Sequence, residues 1–389
     1  MSEAKQDVRH EGRRTITPYQ SHCLVVTTVV GVGILSFQRG VVEDVGPDAV
    51  WTILIGGLIV LGEVALLTMV MQRFSEGHLV GAIRELAGNE RSRWFTTLMA
   101  APFVLLVATF WFSATSYVTR TFGEVLISAV LPWTPLEVLM PVILGVAAVV
   151  ASHRLDLVAR FSELLMPLLY LPMPLFVVGW IQEGKWNNFL PLFEVNWPQV
   201  FHGVLGSFLA YSGISVLLAF MGYYRYPHRA MSAHLSGVGV VVFFYWLTVA
   251  ASVAVFGMYE IRNLMWPTLD LITVTAVPGM ILERLESAFL AIWMVAVFTT
   301  LINLYGALVD AIMNWFQMKE KRRPYVSWFL FPFIFMTAYL PPNLPVVFRW
   351  GDWSGWYEPV VIVIILLFLF LLSVFRGKES ERGQADALS

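Results

Sequence analysis

The sequence predicts an all-α integral membrane protein of about ten transmembrane helices, arranged as two five-helix halves in an inverted repeat with broken helices 1 and 6. Of its 389 residues, 58% are hydrophobic and only 13% charged, against roughly 25% charged in an ordinary soluble domain. Ten segments are apolar enough to cross hydrocarbon as helices that satisfy their own backbone groups. Landmarks in the first half recur at a nearly constant offset in the second.

The segments run from 19 to 38, 48 to 72, 93 to 130, 136 to 152, 156 to 182, 198 to 222, 231 to 257, 281 to 318, 324 to 341 and 356 to 375. The long third and eighth begin 188 residues apart, and Gly213 in the sixth follows Gly31 in the first by 182. Five is odd, so the second half enters from the opposite side, which is a transporter architecture. The membrane domain covers 18–376, with halves at about 18–182 and 198–376 and polar tails at 1–17 and 377–389. The leading tail lacks the apolar stretch and cleavage site of a signal peptide, so the first segment is expected to remain as a helix.

Orientation follows from the basic residues, which concentrate in cytoplasmic loops. With the N-terminus inside, nineteen of the 25 Lys and Arg fall on the cytoplasmic side, and Arg39, Lys185, Arg262, Arg284 and Arg349 fall outside, with Arg120 within a span. Both termini are therefore expected in the cytoplasm. Trp186, Trp197, Trp266, Trp350, Trp353, Trp356 and Tyr357 edge the outer loops, at the level where aromatic rings favour headgroups.

Several function classes are disfavoured. A net charge of −2 offers no basic face for nucleic acid. Cys23 is the only cysteine and the seven histidines are scattered, so neither a disulfide nor a metal site is expected. Without a nucleophile elbow or a phosphate-binding glycine loop, neither enzymatic activity nor a cofactor is expected.

The chemistry concentrates at the two breaks. In the first span Thr28, Gly31, Val32, Gly33 and Ile34 place two glycines near mid-membrane, where glycine lowers the cost of unwinding. Unwound backbone at bilayer depth frees amides and carbonyls that suit the carboxylate of an amino acid. The alternative is that the glycines permit close helix packing. Tyr211, Ser212, Gly213 and Ile214 form the matching break in the sixth span, and the pairing favours a binding site.

Ionisable residues deep in the spans come next, since a charge there normally faces a cavity or a partner: Glu63, Arg120, Glu124 and Asp310 qualify. Arg120 and Glu124 share a helix face at i, i+4 and suit a structural ion pair. Glu63 fits a protonatable relay or a neutral hydrogen-bonded acid equally well. Arg160 and Glu163 read as a solvated pair at the start of the fifth span. The outer segment from Tyr259 to Glu286 is apolar enough to be ordered, as a lid or a docking surface.

Leu264-Met265-Trp266-Pro267-Thr268-Leu269, Pro278-Gly279 and Leu282-Glu283-Arg284-Leu285-Glu286 resemble the GerAB-type spore permease family. The similarity extends to Gly31-Val32-Gly33-Ile34-Leu35, to Arg120 with Glu124, to Leu131-Pro132-Trp133-Thr134-Pro135 and to Arg160 through Pro167. It implies a leucine-transporter-like fold of the amino acid, polyamine and organocation superfamily, acting as the B subunit of a spore nutrient germinant receptor. It further implies A-type and lipoprotein C-type partner subunits, the inner spore membrane, and a small nutrient such as an amino acid as ligand. One departure stands out: many relatives carry Gly-x-Glu at the sixth break, whereas this chain has Gly213-Ile214-Ser215, which puts a charge-dependent contact there in doubt. An ion- or proton-coupled amino-acid transporter and a scaffold subunit with a non-functional pocket are the rival expectations.

Overall fold

The computed structural model describes residues 15–31, 33–87, 93–275 and 285–387, and among them the secondary structure is helical apart from one isolated backbone bridge. Pro278, Gly279, Leu282, Glu283, Arg284 and Val32 lie outside the described residues. Among the described residues, six helical stretches are long and apolar enough to cross a membrane. The first, fourth, sixth and ninth spans are shorter or interrupted, and a criterion of continuous length passes over them.

Both halves open with the same local signal. Thr17 caps Pro18–Val29, its hydroxyl accepting from Gln20 N while Gln20 Oε1 accepts from Thr17 N. Asn196 caps Trp197–Ser207 through an identical exchange with Gln199. Such reciprocal capping satisfies two amides that a helix start would otherwise leave unpaired, and proline in the first turn sacrifices none that were needed. Each helix then runs for about three turns and stops. Pro18–Val29 resumes through the single turn Gly33–Leu35 into Phe37–Val45, and Trp197–Ser207 resumes through Ile214–Val216 and Leu217–Phe220 to Met221–Tyr223.

The remaining spans are Ala49–Met71, Arg93–Ala129, Leu136–Ala151, Leu155–Leu169 with Met173–Glu183, Ala230–Ile261, Leu285–Trp315, Arg323–Tyr339 and Leu344–Ala387. Leu79–Ala87 and Pro267–Val274 are short connecting helices. The second span packs on the sixth and seventh; the eighth packs on the third, fourth and ninth; the first lies between these groups, against the fifth, seventh and eighth. Close approach is set by small residues: a Cβ on Gly56 would stand 2.1 Å from Ser207 Oγ, and one on Gly57 2.6 Å from Val242. The start of the first span touches the end of the sixth, since Thr15 N and Ile16 N donate to Tyr223 O (2.9 and 3.0 Å) and Arg225 N donates to Ile16 O (2.8 Å). That contact requires the two halves to run in opposite senses.

Two expected boundaries move. The first span reaches Val45 and the tenth begins at Leu344, so Arg39, Arg349, Trp350 and Trp353 sit on helices rather than in loops. Charged residues end an apolar count but not a helix, which continues past the hydrocarbon wherever its polar side chains reach water. Glu163, expected beside Arg160, instead accepts from Gln20 Nε2 at 2.7 Å and so ties the fifth span to the first.

Candidate functional site

The two breaks face each other across a narrow, partly open cavity of about 40 Å³. The first span contributes Thr28, Val29, Gly31 and Gly33, and the sixth Leu209, Ser212 and Gly213. Apolar walls come from the third span, with Phe110, Ala114, Tyr117 and Val118, and from Leu304 on the eighth; Thr300 and Ser354 add hydroxyls from the eighth and tenth. Leu209 also lines a second cavity toward the far end of the first span, with Arg39, Glu43 and Asp352. The inner cavity and this charged one thus share Leu209 as a wall.

Each break is fastened by a different span. At the first, Thr300 Oγ1 donates to Thr27 O (3.1 Å) and Thr28 O (2.9 Å), and Thr299 Oγ1 donates to Thr27 O (3.2 Å). Asn303 Nδ2 donates to Thr28 Oγ1 (2.8 Å), and Asn303 Oδ1 accepts from Ser162 (3.1 Å). The end carbonyls of a stopped helix are thus satisfied by hydroxyls of a neighbour. A little further on, Thr268 Oγ1 of the outer helix donates to Ile34 O at 2.6 Å, and Gln38 Nε2 donates to Thr268 Oγ1 and to Ile34 O. Gly33 and Ile34 amides have no backbone acceptor among the described residues.

At the sixth break the fastening is a carboxylate. Glu358 on the tenth span is buried; its oxygens accept the amides of Gly213 (2.7 Å) and Ser215 (2.8 Å), and Trp111 Nε1 donates to Ser215 Oγ (2.9 Å). Gly213 has φ +114°, which only glycine adopts without strain. The acid that the sixth break lacks in sequence is thus supplied by the tenth span. Its signal was an acid within an apolar segment, masked by a neighbouring Trp356 and Tyr357 that read as a membrane edge.

Thr28, Gly31, Gly33, Ser212 and Gly213 line the cavity. Tyr211, expected to face a ligand, turns away: its hydroxyl donates to Ile53 O at 3.0 Å and its ring meets Tyr245 at 5.5 Å. Ile34 and Ile214 are buried in the helix packing rather than in the cavity wall. Val32 lies outside the described residues. Sequence reasoning missed Tyr117, whose hydroxyl is buried without a hydrogen-bond partner among the described residues.

A model of spore germination proteins, the spore permease family, matches residues 15–345. The chain belongs to the spore permease family. The permease is 24% identical to spore germination protein YndE of Bacillus subtilis (strain 168), over 94% of this chain and 98% of that protein. It is 22% identical to spore germination protein B2 of the same organism (95% and 98%) and 24% identical to GerLB of Bacillus cereus (92% and 94%). Among solved structures it resembles MhsT in complex with L-phenylalanine, with a TM-score of 0.66 at 16% identity over 90% of this chain and 88% of that one. It also resembles Mhp1, a nucleobase-cation-symport-1 transporter with bromovinylhydantoin bound, with a TM-score of 0.58 at 12% identity over 93% and 75%. At those identities the likeness establishes the fold, which is leucine-transporter-like, and the permease is an integral membrane protein.

The remaining ionisable residues of the permease lie outside the cavity wall. Arg120 Nε donates to Glu124 Oε1 at 2.9 Å, and its other arm donates to the last carbonyls of the ninth span, Ala338 O and Tyr339 O (3.4 and 3.3 Å). Asp310 is buried under three donors, Tyr223 Oη (2.8 Å), Asn314 Nδ2 (2.7 Å) and Arg323 Nη2. Glu63 keeps one buried oxygen with no hydrogen-bond partner among the described residues and lies within electrostatic reach of Glu358.

Proposed function

We propose that this permease is the membrane B-type subunit of a spore nutrient germinant receptor, which binds a small nutrient such as an amino acid between the broken first and sixth spans. The observation that carries the reading is the cavity between the two breaks, lined on one side by Gly33, whose amide has no backbone acceptor among the described residues. That amide suits a carboxylate. Binding would favour one of two arrangements of the halves, and the shift would pass to A-type and lipoprotein C-type subunits. The protein is read as non-enzymatic, resident in the inner spore membrane, with 18–376 as its membrane domain and both tails cytoplasmic.

One feature supports sensing over ion-coupled transport. In transporters of this build, freed carbonyls of the broken helices coordinate the coupling cation. Here the carbonyls of Thr27 and Thr28 already accept from Thr299 and Thr300.

The test is germination of spores carrying Gly33→Trp as their sole copy, over a range of nutrient concentrations and at verified protein abundance. A side chain at Gly33 starts against the backbone of Leu209 and Ala210, so an indole there would force the two breaks apart, and a nutrient requirement raised at least tenfold is expected. An unchanged dose response at normal abundance would leave a scaffold with a dead pocket as the better account. Accumulation of labelled nutrient in vesicles containing the purified chain would favour the transporter.

A further inference from the structure

We infer that Glu358 determines which charge the cavity accepts, selecting ligands with a cationic amino group; this rests on the cavity being the nutrient site. Gly213 belongs both to the cavity wall and to the hydrogen bonds of Glu358, so the carboxylate stands directly behind that wall. Ser354, four residues earlier on the same helix and therefore on the same face, also lines the cavity. Glu358 is 2% exposed, and no basic side chain pairs with it among the described residues. The ionisable neighbour within its reach is a second acid, Glu63. Each of its oxygens accepts a backbone amide, an arrangement that favours the ionised carboxylate, so a negative charge is held at the cavity wall through Gly213.

The same hydrogen bonds remove the competing possibility. A broken span normally offers amides to an anionic group, but the amides of Gly213 and Ser215 are spent on Glu358. At the first break the amide of Gly33, which lines the cavity, has no backbone acceptor among the described residues. The cavity therefore has a polarity, with an N–H donor at the first break and a carboxylate behind the sixth. A zwitterion lying across it places its carboxylate at the first break and its ammonium beside Ser212 and Gly213. The apolar wall of Phe110, Ala114, Val118 and Leu304 leaves an uncharged side chain as the one that desolvates at least cost. Glu358 is the positioning and specificity-determining residue for the ligand's amino group.

The experiment pairs each neutral amino acid with its 2-hydroxy acid, which keeps the carboxylate and side chain and replaces the amine. Thermal shifts of the purified full-length chain in detergent give an affinity for both members of each pair, in wild type and in Glu358→Gln. Wild type is expected to prefer the amino acid by roughly tenfold or more, and Glu358→Gln to bring the ratio near one while the hydroxy acid still binds. A Glu358→Asp chain keeps the charge and should keep the preference with weaker binding of both. If Glu358→Gln fails to accumulate, the wild-type pairs decide alone, and a hydroxy acid bound as tightly as its amino acid overturns the assignment. If Gly33→Trp abolishes binding but Glu358→Gln leaves the ratio intact, the nutrient site stands and the role of Glu358 falls. If no amino acid binds wild type, both fall together.

Discussion

The two breaks occupy equivalent places in the halves yet are held by opposite chemistry. At the first, neutral hydroxyls of the eighth span satisfy carbonyls at the end of a stopped helix. At the sixth, a carboxylate of the tenth span satisfies amides where the helix resumes. A duplicated backbone therefore need not keep a duplicated polar complement. At the first break the Gly33 amide has no backbone acceptor among the described residues, whereas the Gly213 and Ser215 amides at the sixth are spent on Glu358.

The largest effect should come from removing the carboxylate. Glu358→Ala leaves two buried amides unpaired and is expected to destabilise by on the order of 4 kcal/mol, measured by denaturation in detergent. Gly31→Val attacks the first break by crowding, because a Cβ there would stand 2.2 Å from Thr300 Oγ1 and 2.9 Å from its Cβ. About 3 kcal/mol and loss of germination are expected. Thr300→Val keeps the shape and removes only the hydroxyl, at about 1.5 kcal/mol. A Thr300→Val cost equal to that of Glu358→Ala would show that charge adds nothing to the second fastening. The smallest effect belongs to Gly33→Ala: its Cβ meets nothing closer than Ala210 Cα at 3.5 Å, so a change under about 0.5 kcal/mol is expected and a large one would refute the described wall.

Much of the fold is legible in composition and spacing. Gly31, Gly33 and Gly213 mark the breaks because unwinding needs residues without side-chain constraint, and the repeat offset reveals the inversion. Side-chain direction at the site is less legible. Tyr211 lies in a stretch without helical period, so no periodic argument fixes its face, and packing against Tyr245 decides it. Glu358 joins amides 143 and 145 residues away, a contact that exists only after ten spans have assembled. The far ends of the first and tenth spans were cut short because Arg39, Glu43, Asp44, Arg349 and Asp352 end the apolar run while the backbone stays helical.

The backbone pairing of Thr15 and Ile16 with Tyr223 and Arg225 makes the residues just ahead of the first span a structural part of the sixth. Eight positions separate Tyr223 from Ser215, whose amide Glu358 holds, so this pairing and the sixth break belong to one short stretch of chain. The chain's opening segment is in this sense a tie. A fusion placed ahead of Thr15 spares the knot, whereas a truncation through Ile16 cuts it and frees the inner end of the sixth span.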